Sequence, residues 1–281
     1  AYASPGSLEP RGNPALTSTK ENGFQMRVPR LGEAFIDAVV EQAGGARLSR
    51  EEANFGKTKN ADYRVGRFIL ELKDLQSEGL EVKTRQKKIA ELFRAKLRPD
   101  SSIGIDPELL SESELEQYLE IVGTPIRKRL DSARSQVRST LDHLDDEHLR
   151  GGAILLNTGY GTMPPDLLYS LAHDYIARSE TLQLVICISA WTLADGFDIV
   201  AQFKFIPDES ELHPIAPLRS AFNEAVNGLM TQWVRSGCDP GGEAAEPLAP
   251  LVFEDGGGTF GIGTPKPPTS LPGRYDSSDD V

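Results

Sequence analysis

Asn60-Ala61-Asp62-Tyr63-Arg64-Val65-Gly66-Arg67-Phe68-Ile69-Leu70-Glu71-Leu72-Lys73-Asp74 is the stretch that decides the fold of this chain. Tyr63, Val65, Phe68, Ile69 and Leu72 favour strands, and Gly66-Arg67 is a Gly-X pair, the signal for a two-residue type II′ loop. A loop of that length sets the register. Val65 opposes Phe68, Arg64 opposes Ile69, Tyr63 opposes Leu70, and Asp62 opposes Glu71. Directly opposed residues hold their Cβ atoms about 5 Å apart, where like charges repel. Alternation puts Glu71 and Lys73 on the face of Asp62 and sends Leu70 and Leu72 into a core. Two carboxylates and one ammonium are therefore expected to converge. A divalent cation between the carboxylates would account for their pairing, since Mg²⁺ takes one or two carboxylates together with waters and phosphate oxygens. A lysine beside it can orient a water or stabilise charge developing on a phosphate. The alternative is a solvated hairpin whose outer face simply carries charge.

The chain has 281 residues, room for one large domain or two small ones. Its 39% apolar and 26% charged content suits a globular protein with some loose segments. No apolar run approaches the ~18 residues of a membrane-spanning helix, so no membrane partner is expected. Ala1 to Gly6 lack the apolar core of a secretory signal. Cys187 falls in an apolar strand pattern and Cys238 near a loose tail, which suits a reduced, cytoplasmic protein. The net charge is −12, but it is unevenly placed. From Lys57 to Arg98 twelve Lys and Arg face six Asp and Glu, an excess of +6, and the remainder carries −18. A basic surface around the hairpin fits a phosphate-bearing partner, and an ordinary basic helix face is the alternative.

Outward from the hairpin, residues 1–26 read as a mobile tail rich in Ser, Pro, Gly and Asn. Leu31, Phe35, Val39 and Ala43 recur at i, i+4 and predict a helix ended by Gly44-Gly45, with Glu33, Asp37 and Glu41 as its acidic stripe. Residues 46–60 read as a polar connection. After Lys73 comes a helical insertion, 75–150. Val82 to Leu97 is amphipathic and basic outside, and Ser111 to Ile121 is a short acidic helix. Thr124-Pro125 gives an N-cap and a first-turn proline for another helix running to about Leu149. Arg127, Arg134 and Arg138 share a face there. His143 and His148 are spaced poorly for metal and read as surface residues. Ala153–Thr158 and Leu182–Trp191 are buried strands around a helix opened by Pro164-Pro165-Asp166, a parallel crossover. Asp195-Gly196 turns the chain into Ile199–Ile206, and Pro214–Arg235 is amphipathic. Residues 237–281 read as a Gly/Pro-rich acidic tail, with Gly256 to Gly263 as linker rather than phosphate loop.

Asp62 followed by Glu71-Leu72-Lys73 on consecutive strands resembles the PD-(D/E)xK nuclease superfamily, with Ala61 where the family name has proline. With 75–150 set aside, the element order is αβββαβ, the core order of the restriction-endonuclease-like fold. This is an α/β fold with a mixed sheet, here carrying a helical insertion between its second and third strands. The resemblance covers roughly residues 30–74 and 151–206, within a core of 27–74 and 151–236. It implies a Mg²⁺- or Mn²⁺-dependent phosphodiesterase acting on nucleic acid, in its simplest form a DNA endonuclease on duplex DNA, with a homodimer as one arrangement. Asp62, Glu71 and the Leu72 carbonyl would hold the metal. Glu33 is the first candidate for a further ligand, with Asp37 and Glu41 behind it. Lys73 would position the attacking water or stabilise the phosphorane-like state. Lys57, Lys59, Arg64, Lys83, Arg85 and Lys87 would meet phosphates. A Gln-x-x-x-Tyr pattern found in some relatives fails at Gln86, which is followed by Ala90. Two other readings stay open. One is a catalytically silent nuclease-like subunit for nucleic-acid binding or assembly. The other is a component of a defence or mobile-element system. No Gly-x-Ser-x-Gly elbow suggests serine chemistry.

Overall fold

A computed structural model describes residues 28–52, 60–96, 102–192, 199–207, 215–238, 241, 244–245 and 250–263. The N-terminal tail, Lys57, Lys59, the Asp195-Gly196 turn and the acidic end lie outside these residues. In chain order the elements are α1 (Glu33–Gln42), β1 (Ala46–Arg47), β2 (Tyr63–Val65), β3 (Phe68–Leu75), α2 (Lys83–Phe93), β4 (Ser102–Gly104) and α3 (Glu112–Leu144). They continue with β5 (Arg150–Asn157), α4 (Pro165–Ile176), β6 (Leu182–Thr192), β7 (Ile199–Ile206), α5 (Pro217–Arg235), β8 (Leu251–Asp255) and β9 (Gly258–Ile262).

The central hairpin takes the register that its loop dictates: Val65 pairs Phe68, Arg64 pairs Ile69, and Tyr63 pairs Leu70. Gly66 has a φ of 56°, the left-handed value that the first position of a type II′ turn requires. The ladder ends there, one pair earlier than expected. Asp62 does not oppose Glu71; its N–H donates to Leu70 O at 3.0 Å. A further strand precedes the hairpin within the expected polar connection. Ala46 and Arg47 of β1 pair antiparallel with Arg64 and Tyr63.

The protein is mixed α/β, with a six-stranded sheet ordered β1-β2-β3-β5-β6-β7. β3, β5 and β6 run parallel, and β7 closes the edge antiparallel to β6. Alternation along β3 divides the core. Phe68 and Leu70 pack with Ile36, Val39 and Val40 of α1 and Leu218 and Phe222 of α5. Ile69 and Leu75 face the other way and pack with α2, α3 and α4. The sheet is thus sandwiched between helices, which explains the near-continuous apolar runs in β5 and β6. Among the described residues, no helix is long and apolar enough to cross a membrane.

The two expected helices on either side of Thr124-Pro125 are one 33-residue helix, α3, with Pro125 inside it. Thr124 does not cap; its Oγ1 donates to Glu120 O at 2.7 Å. A proline inside a helix costs roughly 3 kcal/mol through the lost N–H and the ring clash. The apolar stripe Tyr118, Val122, Ile126, Leu130, Ala133 and Val137 is buried on both sides of the proline. Each large side chain in it contributes about 1.5–3 kcal/mol on burial, so packing outweighs the local break. α3 lies on β3 and β5, and the expected insertion therefore supplies a layer of the core.

The linker expected at Gly256 to Gly263 is also corrected. β8 and β9 form a hairpin around Gly256-Gly257, with φ of 58° and 81°, and β9 pairs parallel with β4. Phe253 and Phe260 stack with centroids 5.4 Å apart, and both are buried. Arg94, just after α2, pairs with Asp255 at the end of β8.

Candidate active site

The site forms where β2 ends and β3 continues alone. Asp62, one residue beyond the ladder, turns its carboxylate back on β3, and Oδ2 accepts the Leu72 N–H at 2.8 Å. Glu71 and Lys73 share the face of β3 that α3 covers. Lys73 Nζ donates to Glu71 Oε1 at 2.5 Å and to Gln136 Oε1 at 2.6 Å. The Glu71 side chain is 4% exposed and that of Lys73 12%. Asp62 and Lys73 are half-buried, so the cluster reaches the surface at one end.

Charge and burial are in conflict at Glu71. Its carboxyl is pushed from 4.5 up to about 8, first by burial and then by the Asp62 charge, against the lowering effect of Lys73. Oε2 is buried and accepts no hydrogen bond from a donor among the described residues, and the Asp62 carboxylate that it meets adds to the upward push, as two oxygens competing for one proton do. An unpartnered buried oxygen costs about 1–3 kcal/mol, and more when charged. Both neighbouring carboxylates present acceptors, so the space between them calls for a proton, a water donating to both, or a cation. Carboxylate oxygens are the ligands that a hard divalent cation takes. Among the described residues no three His, Cys, Asp or Glu side chains gather closely enough to hold a metal by themselves.

Glu33, expected as a further ligand, is not brought to this cluster. α1 packs on the opposite face of the sheet, and Glu33 Oε1 pairs with Arg47 at 2.5 Å. Asp37 is engaged there too. Its Oδ1 accepts from Arg47 at 2.8 Å and from the Tyr63 hydroxyl at 2.7 Å. Arg47 comes from β1, a strand too short to be read in the sequence.

The residues expected to meet phosphates are scattered in their circumstances. Lys57 and Lys59 lie outside the described residues. Arg64 is exposed, with Glu52 at 3.9 Å. Lys83 and Lys87 are exposed one turn apart on α2, while Arg85 is half-buried and donates to Gly79 O at 2.5 Å. Much of the basic excess around them is already paired, Arg94 with Asp255 and Lys96 with Glu114.

Two site residues escaped the sequence reading. Gln136 Oε1 accepts from Lys73 and from Ser132 Oγ (3.1 Å), and its Nε2 donates to Asn60 O at 3.1 Å. Thr140 is buried, and its Oγ1 accepts the Ala61 N–H at 2.9 Å. The available signal was a polar row at i, i+4, i+8 (Ser132, Gln136, Thr140) bordering the apolar stripe of α3. No protein-family model, no curated protein and no solved structure matches this chain.

Proposed function

We propose that this chain is a divalent-metal-dependent phosphodiesterase that hydrolyses nucleic acid and, more narrowly, a DNA endonuclease on a restriction-endonuclease-like core. One observation carries the reading. Glu71 Oε2 is buried and receives no hydrogen bond from a donor among the described residues, against a second carboxylate and beside a lysine. The narrower fold reading is supported by α1 ahead of the hairpin and by a sheet in which β2 and β7 alone oppose the other four strands.

Asp62, Glu71 and the Leu72 carbonyl would hold Mg²⁺ or Mn²⁺, which when bound would polarise the phosphate and lower the pKa of a water. Leu72 suits this role. Its N–H is taken by Asp62 beyond the end of β2, and its carbonyl leaves the strand on the same side. Asp62 is fixed by that bond before any ligand arrives. Glu71, raised to about 8, gives up a proton on binding, so binding is expected to strengthen with pH. The Lys73 ammonium has three N–H donors. Two are used by Glu71 and Gln136, and one is left for a phosphate oxygen or the attacking water.

The test is incubation of supercoiled and linear plasmid with Mg²⁺ or Mn²⁺, wild type beside Lys73→Ala. Nicking or linearisation by the wild type alone is expected. Equal activity in both preparations, or intact duplex, single-stranded and branched DNA under conditions where a known nuclease works, would sink the proposal.

The second reading, a silent nuclease-like subunit, is favoured by the absence of a third acid at the site among the described residues. Mn²⁺ calorimetry separates the two. Heat that disappears in Asp62→Ala belongs to the enzyme, and no heat in the wild type belongs to the scaffold.

A further inference from the structure

We infer that Gln136 is a positioning residue for Lys73, holding the ammonium beside Glu71 through a neutral acceptor on α3. The inference rests on the nuclease reading for its catalytic consequence, but its geometry stands independently of that reading. A lysine side chain carries about 2 kcal/mol of rotamer entropy and has no fixed direction of its own. A bond to Glu71 alone would hold Lys73 from its own strand only. Gln136 supplies a second acceptor from α3.

The amide of Gln136 can take only one orientation. Nε2 donates to Asn60 O, and Oε1 accepts from Ser132 Oγ and Lys73 Nζ. Reversing it would set donor against donor at Lys73 and acceptor against acceptor at Asn60. The same side chain thus ties three segments: the residue two before Asp62, the lysine of β3, and α3 itself. Thr140, one turn on, adds the bond to Ala61 N. α3 therefore sets where Asp62 and Lys73 stand relative to one another.

The test has two independent readouts on the full chain. One is the rate at which Lys73 is reductively methylated by formaldehyde and borohydride, followed by peptide mass spectrometry without metal or DNA. In Gln136→Met, similar in length but unable to accept a strong hydrogen bond, the Lys73 rate is expected to rise about tenfold. In Gln136→Glu, which keeps the acceptor for Lys73 but loses the donor to Asn60, it rises less than in Gln136→Met. The second readout is cleavage: kcat falls by about 10- to 100-fold in Gln136→Met with KM for DNA unchanged.

An unchanged methylation rate in a folded Gln136→Met overturns the inference. So does a faster rate with unaltered kcat. If the wild type cleaves nothing, the nuclease reading fails, and the methylation rates alone decide for or against Gln136. Should Gln136→Met not fold, Ser132→Ala, which removes only the support of the amide, is expected to raise the Lys73 rate two- to threefold, and no rise overturns the inference.

Discussion

Two clusters in this protein have the same inventory of charge: two carboxylates and one cation beside a strand. On one face of the sheet Glu33, Asp37 and Arg47 meet around the Tyr63 hydroxyl; on the other Asp62, Glu71 and Lys73 meet beneath α3. In the first, the side chains are 35–61% exposed, and Arg47 donates to both carboxylates. In the second, the acid between Asp62 and Lys73 is buried, raised, and left with one oxygen unanswered. A count of charges does not separate the two. What separates them is desolvation without satisfaction, a state that a fold tolerates where a ligand completes it.

On the proposed nuclease function, the largest effect expected from this contrast is on catalysis. Asp62→Ala and Glu71→Gln should each lower metal-dependent cleavage by at least about 100-fold, while Glu33→Gln stays within about twofold. A large loss in Glu33→Gln, measured on plasmid under the same conditions, would erase the distinction between the clusters.

The next effect is on stability. The folded value for Glu71 lies above its unfolded one, so between pH 4.5 and about 8 the folded state holds a proton that the unfolded state has released. Stability is therefore fully present below the lower value and falls as pH rises through that window, by a few kcal/mol at most. Denaturant midpoints of the metal-free protein should drop from pH 5 to pH 8, and Glu71→Gln should flatten that slope. Mg²⁺ should raise the midpoint more at pH 8 than at pH 6. A wild-type slope equal to that of Glu71→Gln would mean that burial does not govern this acid.

Smaller still is Thr140→Val, which leaves the Ala61 N–H without its acceptor and should cost about 1–3 kcal/mol in chemical denaturation. Arg47→Ala is the smallest, at about 1 kcal/mol or less, because its ion pairs are exposed to solvent. If the last two exchanged order, the exposed cluster would hold more of the fold than its solvation allows.

The hairpin was legible because one glycine at the turn fixes every pairing after it, and alternation then assigns each side chain to a face. The convergence of Asp62 and Glu71 was legible for the same reason, although it is reached by a side chain turning past the end of a ladder. The fate of Glu33 was not, since Arg47 reaches it from a two-residue strand whose sequence carries no periodicity. Pro125 misled through a sound local rule that the buried stripe overrides. The β8/β9 hairpin did carry its signal: Gly256-Gly257 flanked by alternating Leu251, Phe253, Phe260 and Ile262, a two-residue turn set in glycine-rich surroundings. Gln136 was signalled only by the polar row that it shares with Ser132 and Thr140 beside the apolar stripe, and that row does not say which strand, here one 63 positions earlier, it faces.

The length of α3 has one more consequence. Near its start Tyr118 packs edge-on against Phe93, and Lys96 pairs with Glu114, anchoring the small sheet's neighbourhood. Farther along, Gln136 holds Lys73 of β3 and Thr140 holds Ala61 just ahead of β2. Each residue advances a helix by about 100°, so inserting or deleting a single residue between Tyr118 and Gln136 would swing one anchor roughly a quarter-turn away from its counterpart. Changes of about seven residues, close to two full turns, restore the angle but move the anchors about 10 Å apart or together along the axis. This stretch of the chain is a ruler with angular graduations, free to vary in composition along its solvent side and almost unable to vary in length.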